Sequence, residues 1–162
     1  MSSTDVTTDA ATATAPPPKP GEMRLEVIQI PVSDVDRAKA FYASLGWRED
    51  ADFDISEDFR AVQFTPPGSG CSIHFGRGLG DKMEPGSMQR MEVAVSDIDA
   101  ARDDLISRGV EVSEVFHSVP GEEPAPGRDP EGRSYTTYAS FEDPDGNSWL
   151  LQEIKERLPG RG

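Results

Sequence analysis

The sequence predicts an α+β fold of two βαβββ modules, an internal duplication, and three observations carry that expectation. First, PVSDVDRAKAFYASLGW (31–47) recurs without a gap as VAVSDIDAARDDLISRGV (93–110). Val32, Ser33, Asp34, Asp36, Ala38, Ser44 and Gly46 meet Val95, Ser96, Asp97, Asp99, Ala101, Ser107 and Gly109, all at one offset of 63 residues (95 − 32). Second, each copy opens with a β-branched strand, passes through a capped helix and continues into three strand-like stretches. Third, Gly70 and Gly146, each just before the last strand of its module, stand 76 residues apart (146 − 70). The excess of 13 (76 − 63) places an insertion in the second copy, and HSVPGEEPAPGRDPEGR (117–133) supplies it.

Taken in order, RLEVIQIPV (24–32) alternates Ile28, Ile30 and Val32 with Leu25, Val27 and Gln29, as a strand does. Ser33 and Asp34 offer oxygens to the first free amides of a helix. Val35, Ala38, Phe41, Tyr42 and Leu45 follow at helical spacing, and Gly46 stops the helix where a left-handed residue is needed. Strands are predicted near 47–51, 58–65 and 70–76, the last led by the turn PPGSG. MQRMEVAVS (88–96) is the first strand of the second copy, followed by a helix from Ser96 or Asp97 to Arg108 and a stop at Gly109. VEVSEVF (110–116), SYTTYASF (134–141) and NSWLLQE (147–153) are the later strands, the last led by DPDG. Loop 117–133 reads either as a binding loop or as a plain surface excursion.

Composition narrows the function. Lys and Arg number 16 against 30 Asp and Glu, for a formal charge of −14. Such a field repels phosphate backbones and anionic lipid, so neither nucleic acid nor membrane is expected as a partner. Cys71 is the only cysteine, which excludes an internal disulfide and suits a reducing cytoplasm. No apolar run reaches the roughly 20 residues of a membrane span. Residues 1–22 are rich in Thr, Ala and Pro, lack the pattern of a signal peptide, and are expected to form a disordered tail ahead of a domain over 23–157. Within that domain, module one covers 24–82 and module two 88–156.

VSDVDRAKAFYASLGW (32–47), VSDIDAARDDLISRG (95–109) and FEDPDGNSWLLQE (141–153) together make the chain resemble the vicinal oxygen chelate superfamily. That superfamily holds glyoxalase I, extradiol dioxygenases, fosfomycin and bleomycin resistance proteins and methylmalonyl-CoA epimerase. The resemblance covers roughly 24–156. It implies two modules whose sheets curl around a cleft, and a homodimer, as in many members. It is specific for fold and weak for activity, because members share a scaffold and differ in chemistry.

On that fold, strand alternation predicts which side chains face the cleft. Leu25, Val27 and Gln29 face it, as do Ser72 and His74, then Arg90, Glu92 and Ala94, then Ser148, Leu150 and Gln152. Met91, Val93, Val95, Ile73, Phe75, Trp149 and Leu151 pack away from it, together with Cys71, which reads as inert core. The predicted ligand-binding set is Val27, Gln29, Ser72, His74, Arg90, Glu92, Leu150 and Gln152.

Metal-dependent relatives use four His, Glu or Gln side chains, from the first and fourth strand of each module. The resemblance maps those positions to Val27, His74, Arg90 and Leu150, of which only His74 offers a lone pair. A two-residue slip keeps the same face and gives Gln29, Glu92 and Gln152 beside His74, a poor oxygen-rich set. No cofactor is therefore predicted, with a divalent metal held by His74 and Glu92 as the alternative.

His74 reads as a wall residue or a general base, and Arg90 as a partner of Glu92 or a clamp for a ligand carboxylate. His117 is expected to be exposed, and Tyr135 and Tyr138 to pack within strands, with one hydroxyl reaching the cleft as the alternative. Three functions remain open at this point. They are a metal-free small-molecule binder resembling bleomycin resistance proteins, a metal-dependent enzyme of glyoxalase or dioxygenase type, and a metal-free enzyme using His74 as base with Arg90 stabilising negative charge.

Overall fold

The computed structural model describes residues 16–80 and 82–160. Most of the predicted tail, residues 1–15, lies outside them. The described residues divide into two compact units between Met83 and Glu84.

The first unit comprises β1 (Val27–Gln29), α1 (Val35–Ser44), β2 (Arg48–Ser56), β3 (Phe59–Thr65) and β4 (Ser72–Arg77). Its sheet runs β1-β4-β3-β2, with β1 parallel to β4 and the other pairs antiparallel. Asp34 caps α1 by accepting the Arg37 amide at 3.1 Å, and Gly46 adopts φ 80°. Ala38 and Tyr42 are the buried face of α1. Tyr42 packs on Phe64 and Phe75, ring centroids 6.4 and 5.5 Å away, over a core that also holds Ile30, Val62 and Ile73.

The predicted first strand shrinks to three residues. Only one backbone bond extends its ladder at each end, Ser72 N to Glu26 O and Ile30 N to His74 O. The second strand runs to Ser56, beyond the expected 51. Its acidic side chains mask the alternation: Asp52 sits on the helix side, fixed by Arg60 Nε and Nη2 at 3.0 and 2.9 Å and by Lys39 Nζ at 2.8 Å.

The second unit comprises β5 (Met91–Val95), α2 (Ile98–Ser107), β6 (Phe116–His117), β7 (Ala125–Pro126), β8 (Thr137–Glu142) and β9 (Ser148–Glu153). Its sheet runs β5-β9-β8-β6-β7. Asp97 caps α2 through the Ala100 amide, and Gly109 adopts φ 88°. Ile98 and Leu105 bury one face of the helix, and the unit's core adds Val110, Ala139, Phe141, Trp149 and Leu151.

One predicted strand fails here. VEVSEVF (110–116) enters the sheet only at Phe116. Ser113 explains the loss, because its side chain competes with the ladder. Its Oγ takes the Ser140 amide at 2.8 Å, while its carbonyl is drawn to Arg102 Nε at 2.8 Å.

The inserted loop is ordered. β7 pairs with β6, and Gly127 N donates to Val115 O. Asp129, fully buried, accepts from the Glu131 amide, from Arg133 Nε at 2.8 Å and from Thr136 Oγ1 at 2.7 Å. These donors, Arg133 foremost, hold its carboxyl well below the usual carboxylate range. No helix among the described residues is long and apolar enough to cross a membrane.

Candidate functional site

In the first unit, Ile28, Ile73, Val62 and Phe75 occupy the sheet face that carries the core. Their strand neighbours therefore form the opposite face. The register aligns Gln29, His74 and Gln63 in one cross-strand row, with Val27 beside Ser72. His74 Nε2 lies 3.2 Å from Gln29 Oε1. The ring is half-buried, and desolvation lowers its pKa from 6.5, which keeps the imidazole neutral at pH 7.

Ser72 continues the polar row. Its hydroxyl lies 2.6 Å from Thr65 Oγ1, which donates to the Asp50 carboxylate. Arg48 Nε donates to the same carboxylate at 2.6 Å and Gln63 Nε2 reaches it at 3.4 Å. Phe53, opposite Ala61, is partly exposed at the far end. Sequence reasoning missed Gln63, Thr65 and Asp50. FRAVQFT signalled the first two, since they alternate with Val62 and Phe64; Asp50 reaches the face only through a bulge between Glu49 and Ala51.

In the second unit, Leu150 stands between Glu92 on one side and Ser140 on the other, and Gln152 between Ala94 and Tyr138. Gln152 Nε2 donates to Tyr135 O and Tyr138 Oη at 3.2 and 3.1 Å, and Tyr138 Oη donates to Tyr135 O at 2.8 Å. Tyr138 also stacks on Phe116, centroids 5.6 Å apart. Tyr135 precedes β8 and adopts φ 73°, a costly conformation for an aromatic residue, so it is a turn residue rather than the expected strand residue.

Arg90 departs from the strand reading too. It precedes β5, adopts φ 62° and is exposed, so alternation does not carry back to it. Its backbone amide donates to Ser148 Oγ at 2.7 Å, and among the described residues its guanidinium pairs with neither Glu92 nor any other group. Leu25 likewise lies outside its strand and is exposed. His117 is half-buried, its Nδ1 2.8 Å from Gly127 O. Cys71 sits just before β4, half-buried; burial, then the charge of Glu26, pushes its thiol up and keeps it unreactive.

Two open grooves of about 250 and 370 Å³ in the first unit share Val32, Gly76 and Arg77. Neither includes a residue of the polar row.

The donor set fits a divalent ion poorly. Val27 and Leu150 have no lone pair to give, and Arg90 carries a fixed positive charge. In the slipped alternative, Glu92 has Leu150 as its cross-strand neighbour and Gln152 has both amide hydrogens committed. Among the described residues no three His, Cys, Asp or Glu side chains cluster to hold a metal.

Two βαβββ units, the second with one further short strand, β7, from its inserted loop, define a class of duplicated α+β proteins. Residues 24–151 match the Glyoxalase/Bleomycin resistance protein/Dioxygenase superfamily, and the chain belongs to it. Among solved structures it is similar to TnmS3, an antibiotic binding protein from Streptomyces sp. CB03234. The two share 28% identity and a TM-score of 0.63, over 83% of this chain and 98% of that one. It is also similar to a glyoxalase/bleomycin resistance protein from the same strain, at 29% identity and TM-score 0.60 over 80% and 100% of the two chains. A superfamily member from Sphaerobacter thermophilus DSM 20745 gives 29% identity and TM-score 0.60 over 82% and 98%. No curated protein matches the chain.

Proposed function

We propose that the protein is a metal-free small-molecule-binding protein of the glyoxalase/bleomycin resistance type, with His74 at the centre of its ligand face. The observation that carries this reading is the His74 row itself. It is a half-buried imidazole, neutral at pH 7, set among hydrogen-bonding side chains, with the neutral amides of Gln29 and Gln63 as its row neighbours and Gln29 already bonded to its Nε2. The similarity to an antibiotic binding protein over nearly its whole length supports binding as the activity.

Metal analysis of purified protein, together with a thermal-shift screen of small molecules, tests the proposal. Well under one equivalent of Zn, Ni, Mn or Fe is expected, with no effect of chelator and at least one stabilising ligand. A stoichiometric ion held by His74 and Glu92 overturns it in favour of a metalloenzyme.

A second reading, metal-free catalysis with His74 as general base, draws on the same lowered pKa. It loses the expected help of Arg90, whose side chain lies off the strand pattern. We also propose a homodimer in the cytoplasm, on the family resemblance and the unpaired sheet edges at β2 and β7. A monomer by light scattering at micromolar concentration refutes the dimer.

A further inference from the structure

We infer that the ligand of the first unit is an organic cation carrying N–H donors, held by the lone pairs of His74 Nδ1 and Ser72 Oγ. This rests on the binding reading above and assigns its ligand class.

The arrangement of protons on the face dictates the polarity. Gln29 Oε1 only accepts, so its 3.2 Å contact with His74 Nε2 requires the ring proton on Nε2. A neutral imidazole has one N–H, which leaves Nδ1 as a lone pair. Nδ1 has no partner among the described residues. Arg77 Nε is the one buried side-chain polar atom left unsatisfied among them, so Nδ1 is open to solvent.

A second relay runs the same way. The Asp50 carboxylate only accepts, and Thr65 gives it its single hydroxyl proton. The Ser72 hydroxyl, 2.6 Å from Thr65 Oγ1, must then donate to Thr65 and keeps only lone pairs for a ligand. Ser72 and His74 are two residues apart on β4, so they share a face at roughly 6.6 Å spacing. Gln63 keeps one N–H and its carbonyl oxygen and does not alter the bias.

A carboxylate set against Nδ1 and Oγ meets two lone pairs, whereas an ammonium or amidinium satisfies both, and Arg48, the cation of this face, is paired with the Asp50 carboxylate at 2.6 Å. The formal charge of −14 favours the cation again at longer range.

The test uses the full ¹⁵N-labelled chain at pH 7.5, with benzamidine as the cationic probe and benzoate as the matched anion. Long-range ¹H–¹⁵N correlation of the His74 ring should show the Nε2–H tautomer. Benzamidine should shift those signals saturably while benzoate leaves them unmoved, and Ser72→Ala should weaken benzamidine about fivefold. An Nδ1–H tautomer, or preferential binding of benzoate, overturns the donor assignment while leaving a binding protein. If neither probe moves the His74 signals at millimolar concentration, binding at this face fails and the ligand class falls with it.

Discussion

The carboxylate of Glu153, the last residue of β9, accepts the backbone N–H of Ile98 at 2.9 Å, 55 residues away in sequence. Arg128 Nη1 and Nη2 converge on the same oxygen, each at 2.9 Å. Glu153 and Ile98 are both buried, so one charge ties the start of α2 to the end of β9 and to the inserted loop. Glu153→Ala leaves the Ile98 amide unsatisfied and should cost about 2–3 kcal/mol. Glu153→Gln keeps an acceptor and should cost less. Urea midpoints at unchanged m-value measure both, and an alanine variant as stable as the wild type removes the tie from the account.

Acid should weaken the first unit through Asp52. Hydrogen bonds from Arg60, helped by Lys39, hold its pKa at about 2, against an unfolded value near 3.8. A depressed carboxylate contributes stability that is complete above the unfolded pKa and lost as pH falls through the folded one. The loss therefore falls between about pH 4 and pH 2 and is on the order of 2 kcal/mol. Asp52→Asn should flatten that part of the curve and lower the plateau at pH 7. An unaltered acid limb in the variant removes Asp52 as its source.

Glycine is required at 76 and dispensable at 70. A Cβ on Gly76 would lie 1.7 Å from Arg60 O, a backbone atom of the neighbouring strand, so the sheet itself must shift. At Gly70 nothing lies within 4 Å and the backbone is ordinary. Gly76→Ala should be destabilising by about 3 kcal/mol or more, with Gly70→Ala within about half a kcal/mol of wild type. Equal stability of the two variants contradicts the observed β3–β4 approach.

The repeat at an offset of 63 residues was legible because both copies need the same signals, a capping Asp before the helix and a glycine after it. Asp34 and Asp97 cap, and Gly46 and Gly109 turn, as their chemistry demands. Cross-strand register was not legible. The mapped ligand positions name Val27 with His74 and the two-residue slip names Gln29; the parallel β1–β4 pair has Gln29 beside His74 and Val27 beside Ser72. Local patterns define which face a side chain takes, and only the neighbouring strand decides its partner. Arg90 shows the limit in another way, since a left-handed residue ahead of a strand breaks the period-two reading without any glycine to announce it.

His74 should add a second pH step, separate from that of Asp52. Burial lowers its pKa from 6.5, so the unfolded chain binds more protons than the folded one between the folded pKa and 6.5. Stability rises with pH wherever the unfolded state holds more protons. The contribution is therefore complete above about pH 6.5 and is lost as pH falls from there through the folded pKa. The charged groups on this face, Asp50 and Arg48, are paired with each other at 2.6 Å. Protonation also converts Nδ1 from acceptor to donor, so benzamidine affinity should decline over the same interval. His74→Gln, neutral at every pH, should abolish both trends while leaving the step between pH 4 and 2 in place. Denaturation midpoints taken at half-unit intervals from pH 8 to 2, with benzamidine titrations from pH 8 to 4, decide the matter. A variant that still shows the upper step would assign it to another group and take His74 out of the account of pH dependence.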